Sequence, residues 1–151
     1  MSHRSRLFFQ IGCWAALGTS VVHMIGTLSG RPAPTNDIER SFFHLLETYR
    51  FALPGAARTF AELTQGFSLT FSLFLALTGA TGLSVVRRAS TDAMLVPALA
   101  RMNAVAFVVL LVISLTYWFL VPTLCIAVSA AAFIIASLSG RAGDTPPGAP
   151  R

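Results

Sequence analysis

Long apolar runs with few polar interruptions dominate the pattern along the chain. The first run covers residues 7–28, with His23 as its one ionisable residue, and the second covers residues 63–86 with none. The third, residues 102–139, carries no charge and is long enough for two crossings, since one helical crossing takes about 20 residues. Pro122 lies near its middle, just after Tyr117 and Trp118, which predicts a tight turn at the membrane surface.

The pattern therefore predicts an all-α fold, a four-helix transmembrane bundle in a single domain of residues 1–140. The predicted spans cover about 7–28, 62–86, 97–119 and 122–139. Residues 29–61 form the one long connection, and the Pro- and Gly-rich tail, residues 141–151, is expected to be disordered.

The connection 29–61 has a helical pattern of its own. Asn36 followed by Glu39 is typical of a helix start. Bulky apolar residues then alternate with charged ones between Ile38 and Phe51, which predicts an amphipathic helix at the interface or over the bundle. Pro54-Gly55 should end this helix, and the pair Thr59 and Glu62 predicts a capping box at the start of span 2.

Small and polar residues recur at helical spacing in every span and predict the packing faces. The predicted stripes are Gly12, Ala16, Thr19, His23, Gly26 and Gly30 in span 1; Glu62, Gln65, Ser72, Gly79 and Gly82 in span 2; Asn103, Ala106, Leu110, Ser114 and Tyr117 in span 3; and Cys125, Ser129, Ala132, Ala136 and Ser139 in span 4. Such residues let helices approach closely in lipid and bond through hydroxyls. Bulky apolar residues are then expected to face lipid.

Composition excludes an ordinary soluble domain. Residues are 54% hydrophobic and 11% charged, where soluble domains carry about 25% charged residues. The net charge of +5 comes from arginine alone, and no basic run suggests binding to nucleic acid. Arginines cluster before span 1, between spans 2 and 3 and after span 4, whereas those of the connection 29–61 are interspersed with acidic residues. The positive-inside rule then predicts that both termini lie in the cytoplasm and the connection 29–61 outside, and the expected location is the plasma (inner) membrane.

His23 is the clearest candidate for chemistry, because an ionisable group inside a span suggests a functional site. The alternative is a neutral histidine that hydrogen-bonds a Ser or Thr and joins two helices. Glu62, with Gln65 one turn deeper, opens span 2 on the same side and could pair with His23 in acid–base chemistry. Glu62 is equally well explained as the capping residue of its helix.

Four more residues complete a polar mouth over this end of the bundle. Glu47 and Arg50 are spaced as an ion pair on a helix face, and Arg58 could reach lipid phosphates. Tyr117 ends span 3 on the same side. As a binding site, this mouth would hold the polar head of an amphipathic molecule. No metal-ligand spacing and no phosphate-binding loop is present, and no cofactor is expected.

Short motifs around the first loop resemble those of a known group. His23-Met24-Ile25-Gly26, then Arg58-Thr59-Phe60-Ala61-Glu62 and Gly66-Phe67-Ser68, resemble elements of small four-helix bacterial inner-membrane proteins without an established activity. Those proteins share an H-x-x-G element and an Arg-Ser/Thr…Gly-Phe motif in the same order. The resemblance covers roughly residues 21–72. It implies the four-span topology and the location of a site, but no reaction.

Two functional hypotheses follow. In the first, the protein is not an enzyme: it binds a lipid-like or apolar small molecule at the polar mouth, or serves as an accessory subunit of a membrane complex. Membrane lipids, a second copy or a membrane-complex protein would then be its partners. In the second, it is a membrane-embedded isomerase, cyclase or hydrolase of an apolar substrate, with His23 and Glu62 as acid and base and Arg50 or Arg58 holding an anionic head.

Overall fold

A computed structural model describes residues 3–88 and 95–141 of the chain. Its elements in order are α1 (His3–Leu28), α2 (Asp37–Thr48), β1 (Arg50–Leu53), β2 (Ala56–Thr59), α3 (Phe60–Arg88), α4 (Leu95–Tyr117) and α5 (Leu120–Arg141). Four of these helices, α1, α3, α4 and α5, are long and apolar enough to cross a membrane. The prediction of an all-helical protein with four such helices is confirmed.

The ends of the helices differ slightly from the predicted spans. Tyr117 ends α4 and Leu120 begins α5, so Trp118 and Phe119 alone connect them. Pro122 lies in the first turn of α5, where a missing N–H removes no helical hydrogen bond. Arg141, assigned to the tail from the sequence, is the last residue of α5. The rest of the predicted disordered tail, residues 142–151, lies outside the described residues.

The predicted capping of α2 is confirmed. Asn36 is the N-cap, and its side-chain oxygen accepts a hydrogen bond of 2.8 Å from the Glu39 N–H. The Glu39 carboxylate in turn accepts from the backbone N–H of Thr35 at 2.7 Å and from the Thr35 hydroxyl at 2.8 Å. These bonds, with the backbone N–H contributing most, lower the pKa of the Glu39 carboxyl. The start of α2 is therefore well defined by local bonds.

The predicted continuation of the amphipathic helix to Phe51 is wrong. The helix ends at Thr48, and Arg50–Leu53 pairs with Ala56–Thr59 in an antiparallel hairpin. Two turn residues explain this change. Pro54 favours extended backbone at the residue before it, and Gly55 has φ +82°, a value that side-chain-bearing residues rarely adopt.

The four long helices alternate in direction and pack in the order α3, α1, α5, α4. Helix α1 packs along α3 on one side and α5 on the other, and α4 packs mainly against α5. Side-chain hydroxyls join these neighbours, as the sequence predicts. The Ser20 hydroxyl donates to the Ser72 carbonyl at 2.7 Å, and the Ser5 hydroxyl donates to the Ala136 carbonyl at 2.8 Å. A bond of 2.7 Å between the hydroxyls of Ser114 and Thr123 joins α4 to α5.

Glycines bring α1 and α3 into backbone contact. A methyl group added at Gly79 would lie 2.6 Å from the Cys13 carbonyl oxygen, and one added at Gly82 would collide with the Cys13 sulfur. Both glycines are buried, as is Ser72 on the same stripe. The predicted packing stripe of span 2 is thus correct in its deeper part, whereas Glu62 and Gln65 are exposed.

Two packing predictions are correct only in part. Bulky residues do not all face outward, because Phe9, Phe107 and Phe133 form a buried aromatic cluster. Their rings lie 5.6 Å (Phe9–Phe133) and 5.1 Å (Phe107–Phe133) apart. Phe133 fits because Gly12 opposite it has no side chain. The stripe of span 3 is correct at Ser114, which is buried, but wrong at Ala106, which is exposed while Phe107 beside it is buried.

Candidate functional site

The predicted polar residues gather at one end of the bundle, which we call the loop end. It contains the last turns of α1 and α4, the first turns of α3 and α5, helix α2 and the hairpin. We call the opposite end, with His3, Arg88, Leu95 and Arg141, the terminal end. Three cavities at the loop end receive most of the predicted site residues.

The deepest of the three, the His23 cavity, has a volume of about 560 Å³. It lies between α1, α3 and the α4–α5 turn. Its lining residues are Thr19, Val22, His23, Gly26, Thr27, Phe71, Tyr117, Trp118, Phe119, Val121, Pro122 and Cys125. This volume is within the range of about 300–1,000 Å³ that small-molecule sites occupy, and most of the lining is apolar or aromatic, as such sites usually are.

His23 is held in this cavity by aromatic rings. The Phe71 ring meets the imidazole edge to face at a centroid distance of 5.2 Å. The Trp118 ring is nearly parallel to the imidazole, at an interplanar angle of 12° and a centroid distance of 6.5 Å. Phe71 and Trp118 also touch each other at 5.1 Å. The imidazole therefore belongs to an aromatic corner contributed by α1, α3 and the α4–α5 turn.

The polar atoms of the cavity differ in whether they have partners. The hydroxyls of Thr19 and Thr27 donate to carbonyls of their own helix, at 2.8 and 2.9 Å. The Nε2 atom of His23 is buried, and within residues 3–88 and 95–141 it has no hydrogen-bond partner. Depending on the tautomer, this nitrogen can donate or accept one bond. The predicted joining of two helices through a His23 hydrogen bond at Nε2 is therefore not found.

A second cavity, the loop cavity, lies under α2 and has a volume of about 730 Å³. It is lined by Gly26, Thr27, Leu28, Gly30, Arg31, Pro32, Ala33, Pro34, Arg40, Phe43, His44, Glu47, Ala61, Thr64, Gln65 and Ser68. The predicted site residues Glu47 and Gln65 lie here. Charged and hydroxyl-bearing side chains make this cavity much more polar than the His23 cavity.

The predicted ion pair between Glu47 and Arg50 does not form. Because α2 ends at Thr48, Arg50 lies in β1, and its guanidinium donates to the Ala57 carbonyl at 3.3 Å. Glu47 is paired instead with Arg31, at 3.7 Å. Sequence spacing could not show the Arg31–Glu47 contact, since Arg31 lies in the connection before α2 and approaches Glu47 only through the way this connection folds back.

Glu62 lies in a third and shallower cavity of about 350 Å³, with Arg58, Leu63, Gly66, Phe67 and Thr70. Its carboxylate accepts a bond of 2.8 Å from the Thr59 N–H, and its own N–H donates to the Thr59 hydroxyl at 3.1 Å. The capping box predicted for these two residues is confirmed. Arg50 and Arg58 are near enough to act electrostatically on this carboxylate.

The structure thus distributes the predicted site among separate places. His23 and Tyr117 line one cavity, Glu47 and Gln65 a second, and Glu62 and Arg58 a third. The lining role of Phe71 escaped the sequence analysis, because no local pattern distinguishes it from the other apolar residues of its span, and Cys125 was assigned only to the packing stripe of span 4.

The chain was compared with known proteins at three levels. No protein-family model matches it, and neither a curated protein nor a solved structure does.

Proposed function

We propose that the protein resides in the plasma (inner) membrane with both termini in the cytoplasm and the loop end outside. The charges support this orientation. Arg4, Arg6, Arg87 and Arg88 lie at the terminal end, and arginines accumulate on the cytoplasmic side of membrane proteins. At the loop end, Arg31 and Arg40 lie beside the carboxylates of Glu47 and Asp37, and Arg50 and Arg58 lie near that of Glu62, so the arginines there are offset by acidic residues.

Within that membrane, the protein binds a lipid-like molecule in the His23 cavity and is not an enzyme. The observation that supports this proposal is the Nε2 of His23, which has no hydrogen-bond partner among residues 3–88 and 95–141, although His23 lines a mainly apolar cavity. A buried polar group without a partner costs about 1–3 kcal/mol. Rotation of the imidazole toward the cavity would let a carbonyl or hydroxyl oxygen of a bound molecule bond Nε2 and recover this cost, and the apolar part of the molecule would contact Phe71 and Trp118.

Acid–base catalysis by His23 and Glu62 has less support. The two side chains line different cavities, and the Glu62 carboxylate is engaged by the backbone of Thr59. General acid–base catalysis needs both groups within hydrogen-bond reach of one substrate. Binding of a ligand without a reaction requires only His23, so ligand binding is the function that we propose.

Native mass spectrometry of protein extracted in a mild detergent tests this function. We expect the wild type to carry a small-molecule adduct that His23→Leu loses, because leucine cannot bond a ligand oxygen. His3→Leu is the matched control, since His3 is an exposed residue at the terminal end, and it should keep the adduct. Wild-type protein without an adduct, or His23→Leu with an undiminished one, would contradict the proposal. A stoichiometric protein partner in place of the adduct would favour the accessory-subunit hypothesis.

A further inference from the structure

The His23 cavity and the loop cavity meet at one place on α1. Gly26 and Thr27 line both of them. A methyl group added at Gly26 would meet no atom within 4 Å. The space beside Gly26 is therefore open, and a bulky side chain there would project into the region where the two cavities adjoin.

The polarity of the two cavities changes across this place. The His23 cavity extends along α1 from Thr19 to Thr27, which is about 12 Å of helix, and its lining is mainly apolar and aromatic. The loop cavity beyond it is lined by two arginines, one glutamate, one histidine and several hydroxyl and amide groups. Such a sequence of surroundings fits a molecule with an apolar part at one end and a polar head at the other.

Among the charges of the loop cavity, Arg31 is the one best placed to receive an anion. Arg40 bonds Asp37 at 2.9 Å, whereas the Arg31–Glu47 pair is 3.7 Å apart, longer than a hydrogen bond. Within the part of the chain that the structure describes, Arg31 donates no hydrogen bond. Its guanidinium lies over the Phe43 ring at 5.7 Å, which holds its position. A guanidinium with unused donors binds a carboxylate or a phosphate through two parallel bonds.

We propose that the two cavities form one site for a single-chain amphiphile with an anionic head, a carboxylate or a phosphate. Arg31 binds the head, the chain passes Gly26, and its end lies beside His23 and Trp118. This inference rests on the proposed function, since it assumes that the His23 cavity holds a ligand, and it adds the chemical class of that ligand.

Quenching of Trp118 by a brominated chain can test the site. The chain has two tryptophans, and replacing the exposed Trp14 with Phe leaves Trp118 as the only tryptophan, which excitation at the red edge of the absorption band selects over the two tyrosines. The protein is placed in phosphatidylcholine nanodiscs and titrated at pH 8 with 12-bromododecanoate or with the uncharged 12-bromododecanol. We expect saturable quenching by both probes. The half-saturating concentration should be about tenfold lower for the carboxylate, since a hydrogen bond between charged groups strengthens binding by at least this factor.

Paired variants test where the anionic head binds and whether the chain runs past Gly26. Arg31→Gln should remove the preference for the carboxylate, and Arg50→Gln, at an arginine that lines neither cavity, should keep it. Gly26→Leu should abolish saturable quenching and Gly26→Ala should weaken it less, so that a graded result remains if the leucine variant does not fold. Gly18→Leu is the control for the two Gly26 variants, because Gly18 has the same open surroundings on α1 but lines neither cavity.

The outcomes separate this inference from the proposed function. If Gly26→Leu and Arg31→Gln behave like their controls while quenching stays saturable, a ligand occupies the His23 cavity alone, and the joint site is wrong. If neither brominated probe quenches saturably, the joint site is wrong, and the adduct seen by native mass spectrometry decides separately whether the His23 cavity binds a ligand. Sodium acetate at the concentration of the probe should not relieve the quenching. Relief by acetate would mean that Arg31 binds a free anion, and would also overturn the joint site.

Discussion

His23 illustrates how a single side chain can be conspicuous in the sequence while its role depends on its surroundings. An ionisable residue in an apolar span suggests a functional site, and the alternative is a structural role, a hydrogen bond to a neighbouring helix. In this structure the cross-helix bonds come from other side chains, such as Ser20 to the Ser72 carbonyl and Arg6 to the Val86 carbonyl, while the Nε2 of His23 has no partner among the described residues. Replacing His23 and replacing Ser20 should therefore have different effects on the free energy of unfolding.

We therefore expect His23→Leu to leave the free energy of unfolding of the ligand-free protein unchanged or to raise it by up to about 3 kcal/mol, because it removes a buried unpartnered nitrogen. Ser20→Ala should lower the same quantity by about 0.6 kcal/mol, the average for hydrogen bonds between membrane helices. Unfolding in mixed micelles with increasing sodium dodecyl sulfate, followed by circular dichroism, measures both. A loss of stability in His23→Leu as large as that in Ser20→Ala would show that the histidine is structural.

The sequence identifies His23 but not its surroundings, for a physical reason. His23 stands out because it is the only ionisable residue between residues 7 and 28. Phe71 and Trp118 contact it from other elements, and Phe71 is one of twelve phenylalanines. Contacts between distant segments depend on helix rotation and on the course of a turn, which local spacing does not encode. The same limit explains the missed pairing of Glu47 with Arg31.

At the scale of elements, the close contact of α1 with α3 depends on glycines whose missing side chains admit the other backbone. Gly79 is the most demanding position, since the nearest atoms include the Cys13 carbonyl oxygen, which belongs to the backbone and cannot rotate away. Gly66, on the same helix, has no atom within 4 Å of an added methyl. Comparing alanine substitutions at Gly79 and Gly66 therefore separates the effect of helix packing from that of helix propensity.

Alanine at Gly79 should destabilise the protein by about 1–3 kcal/mol, the usual cost of overpacking a well-fitted contact. Alanine at Gly66 should be neutral or stabilise it by up to about 1 kcal/mol, because alanine favours the helix more than glycine does. The dodecyl sulfate titration described for His23→Leu compares the two variants. Equal effects at both positions would mean that α1 and α3 do not approach each other as closely as the structure shows.

The elements were predictable where a local rule governs them. Apolar length gave the four long helices, and the capping pairs Asn36–Glu39 and Thr59–Glu62 were found where expected. The hairpin was missed because the pattern around Phe51 continues that of α2, and only the pairing with the strand after Gly55 separates them. The stripe on α4 was misplaced because size was taken as the criterion for burial. Phe107 is buried against Phe133 of α5, and Gly12 of α1 leaves room for the Phe133 ring.

For the whole molecule, the helix order α3, α1, α5, α4 gives α1 a central position. One helix can therefore line both the His23 cavity and the loop cavity. The terminal end carries arginines, and the loop end carries the cavities together with paired charges. An orientation with the loop end outside would open both cavities toward the outer leaflet, where an amphiphile could enter beside α2.

Cysteine labelling in intact cells tests this orientation. Ser41→Cys, on exposed α2, should react with a membrane-impermeant maleimide before lysis. His3→Cys, exposed at the other end, should react only after the membrane is permeabilised. The background is Cys125→Ala, which leaves the fully buried Cys13 as the remaining cysteine, and this background alone should stay unlabelled. If His3→Cys is labelled in intact cells and Ser41→Cys is not, the loop end faces the cytoplasm. The amphiphile would then enter from the inner leaflet, because both cavities open at the loop end whichever way the bundle is inserted.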